Sequence, residues 1–236
     1  EVAPSTWDAM TANNNGELIP GGILNGITGT LLMVIVASII AIPIGLTTGI
    51  YLYENGSKRY ANIIRSISDI LQGSPSIVIG IIGYFWVVKY ITYGFSALAG
   101  SVALSIMMLP LIIRSTEETL KMIPQTIKEA GLALGVPYHK IIIRVLIPTS
   151  FSGLVTGILL ALSRVIGETA PLLITALGSP MVNFNLDKPV SAVPLLIWEF
   201  YNDPNMVGLI WSSSLFLVMF ILALNLISKQ IAPKKN

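Results

Sequence analysis

Two ionisable residues stand in an otherwise apolar run, LSRVIGETAPLL: Arg164 and Glu168. Four residues apart, they share one face of a helix. That face extends through Gly153, Gly157, Ala161 and Pro171, so small residues lead up to two charges. A charge at the centre of a bilayer costs about 2.5–3.5 kcal/mol on insertion scales, and such residues face a bundle interior or a water-filled cavity. Arginine offers a planar fork of donors suited to a tetrahedral oxyanion. The carboxylate balances that charge when no anion is present. The same two residues also read as a purely structural ion pair, or as a pair with Glu168 at the outer interface.

A second stretch that can do chemistry runs from Glu129 to Pro148, EAGLALGVPYHKIIIRVLIP, a polar, basic island between two long apolar segments. Its entry, PQTIKEAGLALG, predicts a short amphipathic helix, with Ile127, Ala130 or Gly131, and Leu134 at i, i+3/4 and i+7. Lys128 and Glu129 sit beside that face. Gly131 and Gly135 give it low relief, which lets another backbone come close. A membrane protein that holds out such a helix offers it to a soluble partner. The plainer alternative is a re-entry helix ahead of the next span.

The elements that must position these residues follow from composition. The chain has 236 residues, 53% hydrophobic and 11% charged, with a mean hydropathy of +0.77. Soluble domains carry about 25% charge, so this is a polytopic membrane protein. With no cysteine and one histidine, His139, disulfides, thiolate catalysis and multi-histidine metal centres are excluded. No G-x-x-x-x-G-K-[ST] occurs, so the chain has no P-loop of its own. No cofactor, metal or nucleic acid is expected.

Residues 1–22 form a polar segment without Lys or Arg, expected to lie outside the cytoplasm. Apolar runs predict five spans: about 23–53 with a kink at Pro43, 70–93 entered through Gly73–Ser76, 97–113, 141–177 and 206–228. The fourth is too long for one straight crossing, since about 20 residues suffice, so part of it should extend beyond the bilayer. Residues 23–231 make up the transmembrane domain, with a cytoplasmic loop at 117–144 and a cytoplasmic tail at 232–236. Of the 14 basic residues, Lys58, Arg59, Arg65, Arg114, Lys121, Lys128, Lys140, Arg144, Lys229, Lys234 and Lys235 fall on one side. Lys89 and Lys188 fall on the other, and Arg164 lies within a span. The positive-inside rule makes the first side cytoplasmic and the N-terminal segment external. An exported tail without basic residues needs something upstream to carry it, so a sixth helix is expected before residue 1. In the outer loop, PVSAVPLLIWEFY with Trp198, Phe200 and Tyr201 reads as an interfacial helix and also as a docking surface for an external binding protein. G-x-x-x-G at Gly45–Gly49 and at Gly153–Gly157 marks places of close helix packing.

The 129–148 stretch resembles the EAA loop of ABC importer permeases: E-A-A, three residues, G, nine residues, I-x-L-P. Glu129, Ala130, Gly135, Val145, Ile147 and Pro148 fall in register, Gly131 replaces the second Ala, and Val145 and Ile147 replace Ile and Leu. R-x-x-G-E-T-A-P-L-L, with D-I-L-Q-G-S-P-S-I-V-I-G at Asp69–Gly80 and G-I-Y-L-Y-E at Gly49–Glu54, is similar to the PstA family, permease subunits of phosphate ABC importers. The sister PstC family shares R-x-x-G-E-T; the A-P-L-L continuation favours PstA. The resemblance covers nearly the whole chain and implies an all-α polytopic bundle of the type I importer permease fold. It also implies pairing with PstC, two copies of the ATPase PstB on the coupling helices, and delivery of inorganic phosphate by the binding protein PstS. Coupling would fall to Glu129, Ala130, Gly131 and Gly135, and the substrate pathway to Arg164 and Glu168. Other readings are an importer of sulfate, molybdate or phosphonate, a secondary transporter or channel without an ATPase, and a membrane sensor. Inverted repeats would favour the second of these, and none is evident.

Overall fold

The computed structural model describes residues 11–12, 18–19, 22–202 and 207–231. The expected tail at 232–236 and most of the segment at 1–22 lie outside these. Thr11–Ala12 and Leu18–Ile19 form a two-residue antiparallel pair, β1 and β2, a small addition to an otherwise all-α expectation.

Three helices are long and apolar enough to cross a membrane unbroken: α1 (Leu24–Glu54), α4 (Ala97–Lys121) and α11 (Val207–Ile231). Two more crossings are bent pairs. The first joins α2 (Arg59–Gly73) to α3 (Ser76–Gly83) and a π-helical turn at Tyr84–Val88, with a bend of 106°. Pro75 makes that elbow, because a proline disfavours helical backbone in the residue before it, and Ser74 is indeed extended. The second pair turns by 69° at Ser150. It joins Tyr138–Thr149 (α6 Tyr138–Ile141, a π turn at Ile142–Leu146, α7 Ile147–Thr149) to α8 (Phe151–Ile166). The excess length expected of the fourth crossing is this elbow. By length and composition the crossings number up to five among the described residues, counting each bent pair as one. The expected kink at Pro43 leaves α1 continuous, and α4 runs through Pro110 to Lys121, beyond its predicted end near 113.

Parallel packing of α1 on α4 is the backbone of the bundle. A Cβ on Gly45 would lie 2.6 Å from Ile112, and one on Gly49 2.5 Å from Thr116, so these positions must stay bare for the helices to approach. Gly153 and Gly157 of α8 meet Thr119 and Ser115 of α4 in antiparallel register. Both G-x-x-x-G motifs therefore face α4, as small-residue contacts do where lipid supplies no hydrophobic drive between helices. The core is continuous around them: Met33, Ala37 and Ala41 of α1, Leu104, Met108 and Ile112 of α4, Ala161 and Val165 of α8. At the far end, α10 (Val193–Tyr201) buries Leu196 and Phe200 against the start of α1 and leaves Trp198 and Tyr201 exposed. The Val193 amide donates to Thr30 Oγ1 at 3.0 Å and fixes that docking.

Candidate translocation and coupling site

Helix α8 ends at Ile166, one residue before Gly167, so Arg164 stands in its last turn and Glu168 just past it. The expected single helix face is thus interrupted between the two charges. Pro171 is the reason, since its ring would clash with the carbonyl four residues back; it falls instead in the first turn of a new short helix, α9 (Ala170–Leu173). Arg164 Nε and Glu168 Oε1 are 3.9 Å apart, with side chains 38% and 20% exposed. That distance is too long for a hydrogen bond. Among the described residues no hydrogen bond engages the guanidinium, so its fork of donors is uncommitted. A cation at a helix C-terminus is also favoured by the helix dipole.

One turn before Arg164 on the same side of α8, Leu160 lines a cleft of about 410 Å³ between α4 and α8. Ser115, Thr119, Thr149, Ser152 and Thr156 give it hydroxyls and Glu118 its one ionised group. The small α8 residues thus bring α4 close, and Gly153 and Gly157 also line the cleft. The motifs at 69–80 and 164–173 touch as well: a Cβ on Gly80 would lie 2.7 Å from Pro171 Cα. Helix α3 consequently braces the segment that carries Glu168.

The predicted amphipathic helix is α5 (Gln125–Ala133), and none of its residues is buried. Glu129 and Ala130 are exposed, and so are Ile127, Leu132 and Leu134, the last by 82%. Gly135 closes the helix with φ +73°, a left-handed backbone that glycine adopts at little cost. Its amide donates to the Leu132 carbonyl at 2.9 Å, and the Val136 amide to that of Gly131 at 3.2 Å. Gly131 differs from the other coupling candidates. It turns inward, where a Cβ would meet Ile141 Cδ1 at 3.0 Å, so its low relief seats α5 on its own chain. Lys128 also holds the helix, with its ammonium 4.7 Å from the Tyr138 ring centroid and 5.8 Å from that of Tyr53 in α1, contacts of cation–π type.

The structure also builds a charged centre absent from the candidates drawn from sequence. Glu117 of α4 accepts from Arg65 Nη2 at 2.6 Å and from Lys121 Nζ at 2.6 Å. Its carboxylate is 7% exposed and Arg65 28%.

Residues 41–235 match the family described as the binding-protein-dependent transport system inner membrane component. The chain is 39% identical to the phosphate transport system permease protein PstA of Yersinia pestis, over 92% of this chain and 74% of that protein. It is 38% identical to PstA of Mycobacterium leprae, over 89% of this chain and 70% of that protein. The chain belongs to the PstA family. Among solved structures, an inward-facing form of the MetNI methionine ABC transporter superposes with a TM-score of 0.74 at 22% identity, covering 89% of this chain and 94% of that one. At that identity the likeness shows the fold, which is the type I ABC importer permease fold. This PstA-family chain is therefore a multi-pass inner-membrane transport component. Its unburied α5 and its uncommitted arginine are the features its packing leaves open.

Proposed function

We propose that the chain is the transmembrane permease subunit of an ATP-driven phosphate importer, forming half of the translocation pathway. The observation that carries this reading is α5. A nine-residue helix with no buried residue, held firmly by Gly131 and Lys128 yet presenting Glu129, Leu132 and Leu134 outward, is a surface for another protein. Its relatives are named phosphate transport permeases, and Arg164 offers the charge and donor geometry that a phosphate needs.

The clustered basic residues set the end bearing α5 in the cytoplasm and the Lys188 loop outside. Two copies of a PstB-type ATPase grip the coupling helices of this chain and of a PstC-type sister. A PstS-type binding protein delivers phosphate from outside, meeting the exposed Trp198 and Tyr201 of α10. Closure of the ATPase dimer draws the coupling helices together and opens the pathway outward. Arg164 then attracts the anion transiently, and Glu168, 3.9 Å away, keeps the empty site from holding a permanent counter-ion. The chain itself needs no ATP site.

The deciding experiment is uptake of labelled phosphate by vesicles holding the reconstituted complex, with sulfate, molybdate and phosphonate as competitors. Phosphate uptake that an excess of the other oxyanions leaves intact is expected; preferential uptake of another oxyanion would reassign the substrate. Within it, Glu129→Lys and Gly135→Trp are expected to cut uptake at normal membrane abundance. Normal uptake in both would remove α5 as the ATPase contact. Single cysteines at Ser57 or Gln125 should react with impermeant thiol reagents from the cytoplasm only, and one at Asp187 from outside only.

A further inference from the structure

Six charged side chains where α2 meets α4 form two triads that the pathway does not use. The buried Glu117 carboxylate accepts from Arg65 Nη2 at 2.6 Å, Arg65 Nε at 3.0 Å and Lys121 Nζ at 2.6 Å. Arg65 spends its remaining donors on the Gly56 carbonyl and Asn62 Oδ1, both at 2.9 Å, and on the Leu52 carbonyl at 3.4 Å. Next to it, Arg114 donates to Asp69 Oδ1 at 2.9 Å and to Glu118 Oε1 at 3.1 Å. The two triads, Arg65–Glu117–Lys121 and Asp69–Arg114–Glu118, each bridge α2 and α4 once and together line a gap of about 210 Å³.

We propose that this clasp is the linkage that carries movement of α5 to the α2–α3 elbow, with Arg65 and Glu117 as its positioning residues; the inference rests on α5 being the ATPase contact. Position is the first reason. Helix α4 ends at Lys121, four residues before α5 begins at Gln125. A further hold on α5, beside its seat on Ile141 and Tyr138, is Lys128 over Tyr53, which neighbours the Leu52 carbonyl bound by Arg65. Of the routes out of α5, these two lead to the Arg65–Glu117 pair. On α2, Asp69 lies one turn before Gly73 and the 106° elbow. Beyond the elbow, Gly80 of α3 abuts Pro171, three residues after Glu168. The linkage from α5 to the pathway thus runs through consecutive chain segments joined by side-chain contacts.

Chemistry is the second reason. An apolar contact across the same gap would hold two helices at least as well as buried charge. A two-pronged guanidinium–carboxylate contact adds direction, because it fixes the angle as well as the distance. The opposite face of α2 exposes Tyr60, Ile63, Ile67 and Ile70, while its inner face also packs Ala61 and Ile64 against Leu52 of α1 and Ile113 of α4.

The test uses the assembled transporter in vesicles and reads phosphate moved per ATP hydrolysed. Glu117→Gln keeps the shape and removes the charge. It is expected to lower that ratio at least tenfold while hydrolysis stimulated by the loaded binding protein persists. A wild-type ratio at normal abundance overturns the proposal. If Glu117→Gln does not assemble, the exposed half decides: Arg114→Gln should lower the ratio at least twofold, and an unchanged ratio is a refutation. A substrate-independent arm places spin labels on cysteines at Ser66 of α2 and Thr126 of α5, in a chain with no cysteine of its own. The distance between them should hold constant through the ATP cycle in the parent and shift or broaden on ATP in Arg114→Gln. A parent that moves no phosphate yet keeps this behaviour refutes the phosphate reading alone. Phosphate transport with identical distances in parent and variant refutes the clasp alone.

Discussion

Arg65 and Glu117 approach to 2.6 Å with the carboxylate 7% exposed, whereas Arg164 and Glu168 stay 3.9 Å apart with side chains 38% and 20% exposed. Each is an arginine–glutamate pair at the margin of the apolar bundle, yet they do opposite things with the same chemistry. Every nitrogen of the Arg65 guanidinium has a partner, two of them on Glu117 and others on carbonyls of the α1 end. Arg164 has only a loose neighbour. A guanidinium can bind a passing anion only with donors it has not already given away. The difference is that the pair with poorer geometry keeps donors free, as the proposed pathway role requires, while the pair with better geometry spends its donors on holding helices together.

The largest test of that contrast is Arg164→Gln with Glu168→Gln as its partner. If Arg164 meets the anion, losing its charge forfeits about 3 kcal/mol, or about a hundredfold in uptake, on the scale of truncated charge pairs. Arg164→Lys should fall between, since it keeps charge and loses the fork. The double variant decides the matter. A structural bridge would leave no unpaired charge when both go, and uptake would return. Uptake in the double variant is expected to stay as low as in Arg164→Gln, at normal membrane abundance.

Glu117→Gln should invert the pattern. It strands Arg65 against a neutral amide, and breaking buried pairs costs about 3–5 kcal/mol; with Arg65 28% exposed, about 2 kcal/mol is a fair expectation. The thermal midpoint of the purified complex should drop, while in Arg164→Gln it should remain within experimental error of the parent. Equal midpoints for the two variants would erase the contrast.

The two pairs were not equally legible in the sequence. Arg164 and Glu168 are close in the chain and stand out against apolar neighbours, so spacing alone placed them together. Arg65 and Glu117 are 52 residues apart, and no periodicity links them. Arg65 counted only toward the topological charge balance, and Glu117 fell at the edge of the polar loop expected at 117–144. In the structure α4 continues to Lys121, so Glu117 is a helix residue flanked on its face by buried Ile113 and Leu120. That apolar spacing at i−4 and i+3 was the signal available. The spans themselves were readable from hydropathy. The elbow at Pro75 was legible in the entry at Gly73–Ser76, whereas Pro171, read as part of one continuous face, breaks the helix; the bend at Ser150 showed only as excess length. Gly131 was read as relief for a partner and proved to be relief for Ile141. A glycine reports that something comes close, not which chain supplies it.

The smallest effect belongs to the third arginine, and it separates burial from identity. Arg114 makes two contacts of good length, to Asp69 at 2.9 Å and Glu118 at 3.1 Å, but all three side chains are more than half exposed. If hydrogen-bond length alone distinguished Arg65 from Arg164, Arg114→Gln should destabilise nearly as much as Glu117→Gln. Exposed pairs contribute only about 0.2–1 kcal/mol, because water competes for the same donors. At physiological salt their field also decays over about 8 Å. Arg114→Gln is therefore expected to cost under about 1 kcal/mol at low salt, and that cost should vanish near 1 M salt, where the screening length is about 3 Å. The cost of Glu117→Gln should survive the same salt, since ions do not reach a buried carboxylate. Thermal midpoints of the parent and both variants at low and high salt make the measurement. A salt-insensitive loss in Arg114→Gln would mean that the outer half of the α2–α4 contact is as shielded as the inner half, through cover supplied by the other subunits of the complex.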